Sequence, residues 1–293
     1  MNRIRLTAKT DGGHDADMRI GDIQVTRVLE LELPVPPDVL PIGTDPPALA
    51  QRCDWAKPHF VSPDGSTIFA LTATCVRTPD ALVVVDPCIS YDDRFAQGRD
   101  EQAAHFLDIV MSDAGFSPDD VDLVVNTPCD GLGWNVRPGP GEKLVSSFSN
   151  ATHAWSRLEI ERIAIDQRED SAVVRRLSDE GRVTLVDAPA SLTGGVHVEP
   201  SPGHTPGNLD VWISSGDAHA VVVGDAVLSP MQLAEPGWTG LDMVDDAAPR
   251  LRRALFDRCV TDDVLMIGPH FGTPGAGRVA VEGEEWKLVA ETV

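Results

Sequence analysis

Short apolar runs separated by turn residues recur along most of the chain. Positions 23–33 alternate well enough for a strand, and two β-branched runs at 66–77 and 81–85 flank the turn signal Thr78-Pro79-Asp80, which predicts a hairpin. The same pattern predicts further strands at 121–125, 183–186, 196–199, 209–213, 220–223 and 264–267, and a closing hairpin at 278–281 and 286–289.

Apolar residues at helical spacing alternate with these strands. They predict helices over 100–114, 155–165, 171–177 and 247–259, and Ser117-Pro118 predicts one further helical turn. The proline-rich run 34–58 predicts a long loop with a short helix at 48–53. Such a loop could shape the mouth of a site, support a homodimer or wrap the surface.

The order of the elements predicts the architecture. Both halves of the chain run from strands through helices to further strands, which favours two packed mixed sheets with helices outside, an α/β sandwich. Residues 1–17 are polar and unpatterned, so we expect a flexible tail there and a single domain over 18–293.

Composition narrows the classes of partner. The 293 residues are 42% hydrophobic, enough for a substantial core, and the net charge of -22 opposes binding to nucleic acid or to anionic membranes. No run has the length of a signal peptide or of a membrane span, so we expect a cytoplasmic protein that acts on a small molecule. Lysine is scarce beside arginine, which is typical of a GC-rich bacterial genome. Five cysteines without CxxC spacing indicate reduced thiols rather than disulfides or a zinc ribbon.

Four polar residues follow four different apolar strands: Asp130, His204, Asp225 and His270. One Asp or His after a strand is usually a cap or a turn former, so the prediction depends on the whole set. Because ligand crevices form at strand ends in α/β folds, we expect the four to converge on one pocket. Asp–His pairs there suit acid–base catalysis, since the carboxylate orients the imidazole and raises its basicity.

Short motifs surround these residues in a fixed order. They are Val-Val-Asp86-Pro87-Cys88, the run from Asn126 to Gly131 with Gly133-Trp134-Asn135, the run Pro202 to Gly207, Gly224-Asp225, and His270-Phe271 with Gly277-Arg278. From about residue 18 to the end, the chain resembles the metallo-β-lactamase-fold hydrolases, specifically their lactonase-like branch. The resemblance implies an αββα sandwich.

In that family, seven residues hold two divalent metals that are bridged by a hydroxide. This hydroxide is the nucleophile that attacks a lactone, ester or amide carbonyl. The resemblance places the seven at Asn126, Pro128, Asp130, Gly131, His204, Asp225 and His270. Three histidines are thus replaced, so we expect no dinuclear centre. Asp130, Asp225 and His270, with His204 beside them, could still hold one zinc, iron or manganese ion.

Three interpretations of the site follow. In the first, which we place ahead, there is no cofactor, and His204, His270, Asp130 and Asp225 act by acid–base chemistry on a small carbonyl-containing or cyclic molecule, as in specialised metabolism. In the second, one metal ion persists in a lactone, ester or amide hydrolase. In the third, the protein is catalytically inactive and binds a ligand.

Neighbouring residues complete the predicted pocket. We expect its wall to include Asn126, Cys129, Trp134, Asn135, Ser229 and Phe271. Cys129 could be a nucleophile activated by a histidine, but a spacer that points away from the site is the better interpretation. Cys75 and Cys88 are expected in the core, and the other six histidines on the surface or in packing positions.

Overall fold

Sixteen strands form the frame of the protein in a computed structural model that describes residues 16–35, 52–87, 111–112, 114–166, 170–238 and 247–291. In chain order, the strands are β1 (Ala16–Ile20), β2 (Ile23–Val35), β3 (Thr67–Arg77), β4 (Leu82–Val85), β5 (Leu123–Asn126), β6 (Val136–Pro138), β7 (Leu144–Ser146), β8 (Thr152–Ser156), β9 (Val183–Val186), β10 (Ala190–Thr193), β11 (Val196–Pro200), β12 (Leu209–Ser215), β13 (Ala218–Val222), β14 (Leu265–Ile267), β15 (Ala276–Glu282) and β16 (Glu285–Ala290). The described α-helices are α1 (Arg157–Asp166), α2 (Asp170–Asp179), α3 (Met231–Ala234) and α4 (Ala248–Thr261).

Two seven-stranded sheets contain most of these strands. The first has the order β1-β2-β3-β4-β5-β8-β9, and the second runs in chain order from β10 to β16. Each sheet is mixed: β4, β5, β8 and β9 are parallel neighbours in the first, and β13 and β14 are parallel in the second. The small hairpin β6–β7 stands apart.

The two sheets pack face to face. One buried cluster joins side chains of β2, β4 and β5 to side chains of β12, β13 and β14, among them Val25, Val83, Val125, Val211, Val222 and Ile267. Burying each such side chain contributes about 1.5–3 kcal/mol, so this layer is the main source of stability between the sheets. The predicted sandwich of two mixed sheets is confirmed.

Helices and loops cover the outer faces. Helix α4 buries Leu255, Phe256 and Cys259 against the second sheet. On the first sheet, a separate buried cluster places Val84 and Val124 against residues of the 111–121 segment. Because both faces of each sheet are covered, the central strands are continuously apolar rather than alternating, as the sequence shows at β4 and β5.

Several predicted elements differ from the structure. Trp155 lies in strand β8, between β5 and β9, whereas the helical pattern extended back to it; parallel pairing on both sides outweighs the local preference. Strand β1 begins at Ala16, inside the expected tail, and β6, β7 and β10 are not predicted by the pattern. Most of the predicted helices 100–114 and 48–53 lies outside the described residues.

Other predictions hold closely. The Ser117 side chain accepts a hydrogen bond from the Asp119 backbone N–H and caps a short 3-10 helix, Pro118–Asp120. Both predicted hairpins form. None of the helices within the described ranges has the length and apolar character needed to cross a lipid bilayer.

Candidate functional site

Hydrogen bonds connect the loop after β4 to the loop after β5. Asp86 follows β4, and its carboxylate accepts hydrogen bonds from the Thr127 backbone N–H at 2.7 Å and from the Thr127 hydroxyl at 2.6 Å. The Thr127 carbonyl accepts from the Leu209 N–H at 3.1 Å, which links the loop to the second sheet. Gly224 has φ +49°, and a Cβ there would lie 2.3 Å from Thr127 Oγ1, so a side chain would push the two loops apart.

The four residues predicted from strand ends meet at one place. His270 Nε2 lies 2.9 Å from Asp225 Oδ1, and His204 Nε2 lies 3.3 Å from Asp225 Oδ2. His204 Nε2 also lies 3.8 Å from Asp130 Oδ2. Their side chains are 13–23% exposed, so solvent reaches a site that is otherwise enclosed. Strand ends of both sheets therefore contribute to a single constellation.

Backbone and aromatic contacts orient His270. Its ring stacks on Phe69 with centroids 4.5 Å apart and planes 12° apart. Nδ1 lies 3.0 Å from the carbonyl oxygen of Ala70, and because a carbonyl only accepts, Nδ1 carries the hydrogen. In the neutral imidazole, Nε2 is then an unprotonated acceptor that faces a carboxylate oxygen. A proton or a metal cation must separate these two acceptors.

The pKa shifts of Asp225 and His270 agree with this requirement for positive charge between them. Burial by itself would raise the pKa of Asp225, but the charges of His270 and His204 outweigh it and hold that pKa below its usual value. Burial would lower the pKa of His270, but the charge and hydrogen bond of Asp225 raise it instead. The Asp225 carboxylate is thus stabilised in its charged form between two imidazoles.

Asp130 is held by a buried ion pair that was not among the predicted site residues. Arg162 Nη2 donates to Asp130 Oδ1 at 2.8 Å and to Glu159 Oε2 at 2.7 Å. Both Glu159 and Arg162 lie on α1, and Ile163 of the same helix is buried beside them. Charged residues on the apolar face of a predicted helix were the sequence signal for this pair.

Five residues predicted to line the pocket are buried: Asn126, Cys129, Asn135, Ser229 and Phe271 are each at most 3% exposed. Asn126 Oδ1 accepts from Trp155 Nε1 at 2.8 Å, and Asn135 bonds the His153 ring at 2.9 Å. These contacts hold the two side chains within the fold, and the contribution of the five residues to a pocket wall stays a prediction. The side chain of Trp134 lies outside the described part of the structure.

The remaining buried residues have equally local contacts. Ser229 Oγ accepts from the Met231 N–H at the start of α3, and Phe271 packs edge-on against Phe60 with ring centroids 6.1 Å apart. His153 is buried within the first sheet, and burial lowers its pKa to about 4.

The surroundings of Cys129 do not favour a role as a nucleophile. Its side chain is fully buried, and burial, with the neighbouring Glu159 charge, raises its pKa well above the usual value for a thiol. Its backbone N–H donates to Glu159 Oε2 at 3.0 Å. The interpretation as a spacer is therefore the one that fits the structure. Cys75 is buried in the core as expected, and Cys88 lies outside the described residues.

The side chains at the site differ in their capacity to bind a metal ion. At three of the seven positions that the resemblance noted above assigns to ligands, no free ligand atom is present: the Asn126 side-chain oxygen accepts a hydrogen bond from Trp155, and Pro128 and Gly131 have no ligand atom in the side chain. Across the described residues, no group of three or more His, Cys, Asp or Glu side chains has the arrangement that holds a metal ion. Two imidazoles and two carboxylates do face one another at this place, and these are types of ligand that divalent cations take in proteins.

Comparison with solved structures identifies the fold. AidC, described as a dizinc quorum-quenching lactonase in complex with a homoserine product, matches with a TM-score of 0.76 and 20% identity over 95% of this chain and 97% of its own. AbOPH, a hydrolase of the β-lactamase superfamily, matches with a TM-score of 0.75 and 18% identity over 94% and 97%. A probable metal-dependent hydrolase from Staphylococcus aureus matches with a TM-score of 0.69 and 17% identity over 94% and 100%.

These likenesses confirm the predicted metallo-β-lactamase fold across nearly the whole chain. No family model matches the sequence, and no curated protein matches it. The descriptions of the structural neighbours as dizinc or metal-dependent contradict our expectation of a site without a cofactor, and we correct that expectation.

Proposed function

We propose that this protein is a metal-dependent hydrolase that opens a lactone, or cleaves an ester or amide, in a small molecule. One divalent cation would be held by Asp225 and His270 together with His204 and Asp130. The observation that carries the proposal is the placement of two imidazole Nε2 atoms against opposite oxygens of the Asp225 carboxylate, at 2.9 and 3.3 Å.

The chemistry of the donors supports this choice. Neutral imidazole and carboxylate are the ligands that zinc, iron and manganese take in hydrolytic sites. His270 is already fixed in the tautomer that directs Nε2 into the site, because Nδ1 donates to Ala70. A divalent cation in such a site lowers the pKa of bound water and polarises a carbonyl oxygen.

The chain's own residues would do the rest of the work. Asp130 is the most exposed of the four, at 23%, and Oδ2 is directed to the His204 side while Arg162 holds Oδ1. We assign it the transfer of a proton from the attacking water to the leaving oxygen. Asp225 and the two histidines would fix the position of the reacting centre, since their geometry is set by strands of both sheets.

The structural neighbours suggest a class of substrate. AidC and two further matches described as N-acyl homoserine lactone hydrolases are named for lactones. A neutral lactone or ester also suits a protein with a net charge of -22, because the long-range field would repel an anionic substrate. We therefore propose an uncharged cyclic ester as the substrate class.

Metal analysis tests the proposal directly. Protein purified without added metal, then loaded and desalted, should hold about one equivalent of zinc, manganese or iron, and Asp225→Ala should hold little because it removes the carboxylate between both histidines. Asp217→Ala, in the exposed turn between β12 and β13, is the matched control and should bind like the wild type.

Hydrolysis of a panel of γ-lactones and aryl esters should be lost with a chelator and restored by the same metal. Wild-type protein that binds no metal, yet keeps its hydrolytic activity after chelation, would contradict the proposal.

A further inference from the structure

A buried carboxylate on α1 joins the two loops that carry site residues. Glu159 is completely buried, and its Oε2 accepts from the Cys129 N–H at 3.0 Å, next to Asp130. Its Oε1 accepts from the Gly207 N–H at 3.0 Å, in the loop that carries His204. One side chain thus fixes the backbone of both loops.

Arg162 connects this anchor to the site itself. Its Nε lies 3.3 and 3.4 Å from the two oxygens of Glu159, and its Nη2 is shared between Glu159 Oε2 and Asp130 Oδ1. Arg162 is only 8% exposed, whereas Asp130 is 23% exposed. The hydrogen-bond network therefore connects the fully buried Glu159 to the partly exposed carboxylate of Asp130.

The hydrogen bond from Arg162 to Asp130 is more than a helix ion pair requires. Glu159 and Arg162 lie at positions i and i+3 on α1, where an ion pair forms without a contact outside the helix. The additional bond to Asp130 restrains one oxygen of that carboxylate and leaves the other facing His204. A planar guanidinium makes these bonds in fixed directions, which an ammonium group does not.

We propose that Arg162, held by Glu159, is a positioning residue that fixes Asp130 for metal binding and proton transfer. This inference rests on the proposed function. Loss of the guanidinium would leave Glu159 buried without its cationic partner and would remove one hydrogen-bond restraint on the Asp130 carboxylate, so the site would bind its cation more weakly.

The test is the affinity for zinc itself, measured by competition with a chromogenic chelator on metal-free protein. Three variants are compared with the wild type. Arg162→Met removes the charge and the donors, and Arg162→Lys keeps the charge but not the planar guanidinium. Arg157→Gln, on the same helix as Arg162, removes an exposed ion pair with Asp187. Melting temperatures of the metal-free variants are measured in parallel.

We expect about a 10- to 100-fold loss of zinc affinity in Arg162→Met, and a smaller loss of at least about threefold in Arg162→Lys. Arg157→Gln should bind zinc like the wild type. If Arg162→Met does not fold, Arg162→Lys decides the test.

A structural role alone would lower the melting temperature and leave zinc affinity within about threefold of the wild type in the folded variants; that result would overturn the inference. Wild-type protein without zinc affinity would instead contradict the proposed function, and the inference with it, so the two failures are distinguishable.

Discussion

Single side chains in this fold differ sharply in the cost of their burial. Asp225 lies between two imidazoles that compensate its charge. Asp210 on β12, in contrast, is 6% exposed, and its Oδ1 has no hydrogen-bond partner among the described atoms. Burial raises the pKa of Asp210 to about 8, although a hydrogen bond from Ser201 opposes the shift. Asp210 is thus protonated in the folded protein near neutral pH.

Asp210→Asn should therefore change how stability depends on pH. The folded pKa exceeds the unfolded value of 3.8, so the contribution of Asp210 to stability is present below about pH 4 and is lost as the pH rises through about 8. Asparagine does not ionise, so the variant should be more stable than the wild type by a few kcal/mol above pH 8 and by progressively less towards pH 4. Urea unfolding at several pH values measures this.

Asp217→Asn is the matched control for this measurement. Asp217 lies in the exposed turn after β12, where water surrounds the side chain in both the folded and the unfolded state. If the free energies of unfolding of wild type and Asp210→Asn differed by the same amount at every pH, Asp210 would ionise in the folded state as it does in water. That result would contradict the expectation.

At the scale of elements, strands of the first sheet hold the loop that carries His270. Arg27 of β2 is fully buried, and its guanidinium donates to the carbonyls of Phe271 at 2.9 Å and Pro274 at 3.0 Å. Thr72 of β3 donates to the Pro269 carbonyl at 2.8 Å, and Glu32 of β2 accepts from the Thr273 N–H at 2.6 Å. The position of His270 thus depends on contacts between the sheets.

Arg27→Met should destabilise this loop and the protein. The substitution keeps much of the volume but leaves buried carbonyl groups without donors, at a cost of about 2–4 kcal/mol in the free energy of unfolding. Because His270 lies in the same loop, zinc affinity should fall as well. Chemical denaturation and the chelator competition measure the two effects.

Arg19→Met, on an exposed position of β1, serves as the control for Arg27→Met and should change neither quantity. A folded Arg27→Met protein with wild-type stability would show that the carbonyls find other donors.

A helix or strand can be predicted from the sequence when the interactions that form it join residues close together in the chain. Most strands and helices appear where the apolar pattern places them, because the periods of two and 3.6 residues record which face is buried. Trp155 is an exception: its segment becomes a strand because β5 and β9 lie on either side of it, and these neighbours are distant in sequence.

At the scale of the whole molecule, the net charge of -22 is the dominant long-range feature. Charge of one sign repels itself in the compact state and opposes folding, and salt screens this repulsion with a Debye length of about 10 Å at 0.1 M.

Added salt should therefore stabilise the protein. We expect the melting temperature to rise by several degrees between about 10 and 300 mM NaCl, because screening reduces the repulsion more in the folded than in the unfolded state. Differential scanning calorimetry measures the shift. KCl at equal ionic strength should give the same curve, and a melting temperature that falls with salt would mean that ion pairs outweigh the net repulsion.

The sequence by itself determined the sandwich of mixed sheets and the strand ends that bring Asp130, His204, Asp225 and His270 together. These follow from local periodicity and from the geometry that strand ends share in α/β folds. Only the tertiary structure decided the surroundings of the four. It placed Glu159 and Arg162 behind Asp130, joined Asn126 to Trp155, and buried Cys129. The reason is physical: a local pattern can mark a charged residue on a buried face, but its partners are decided by contacts between residues far apart in the chain.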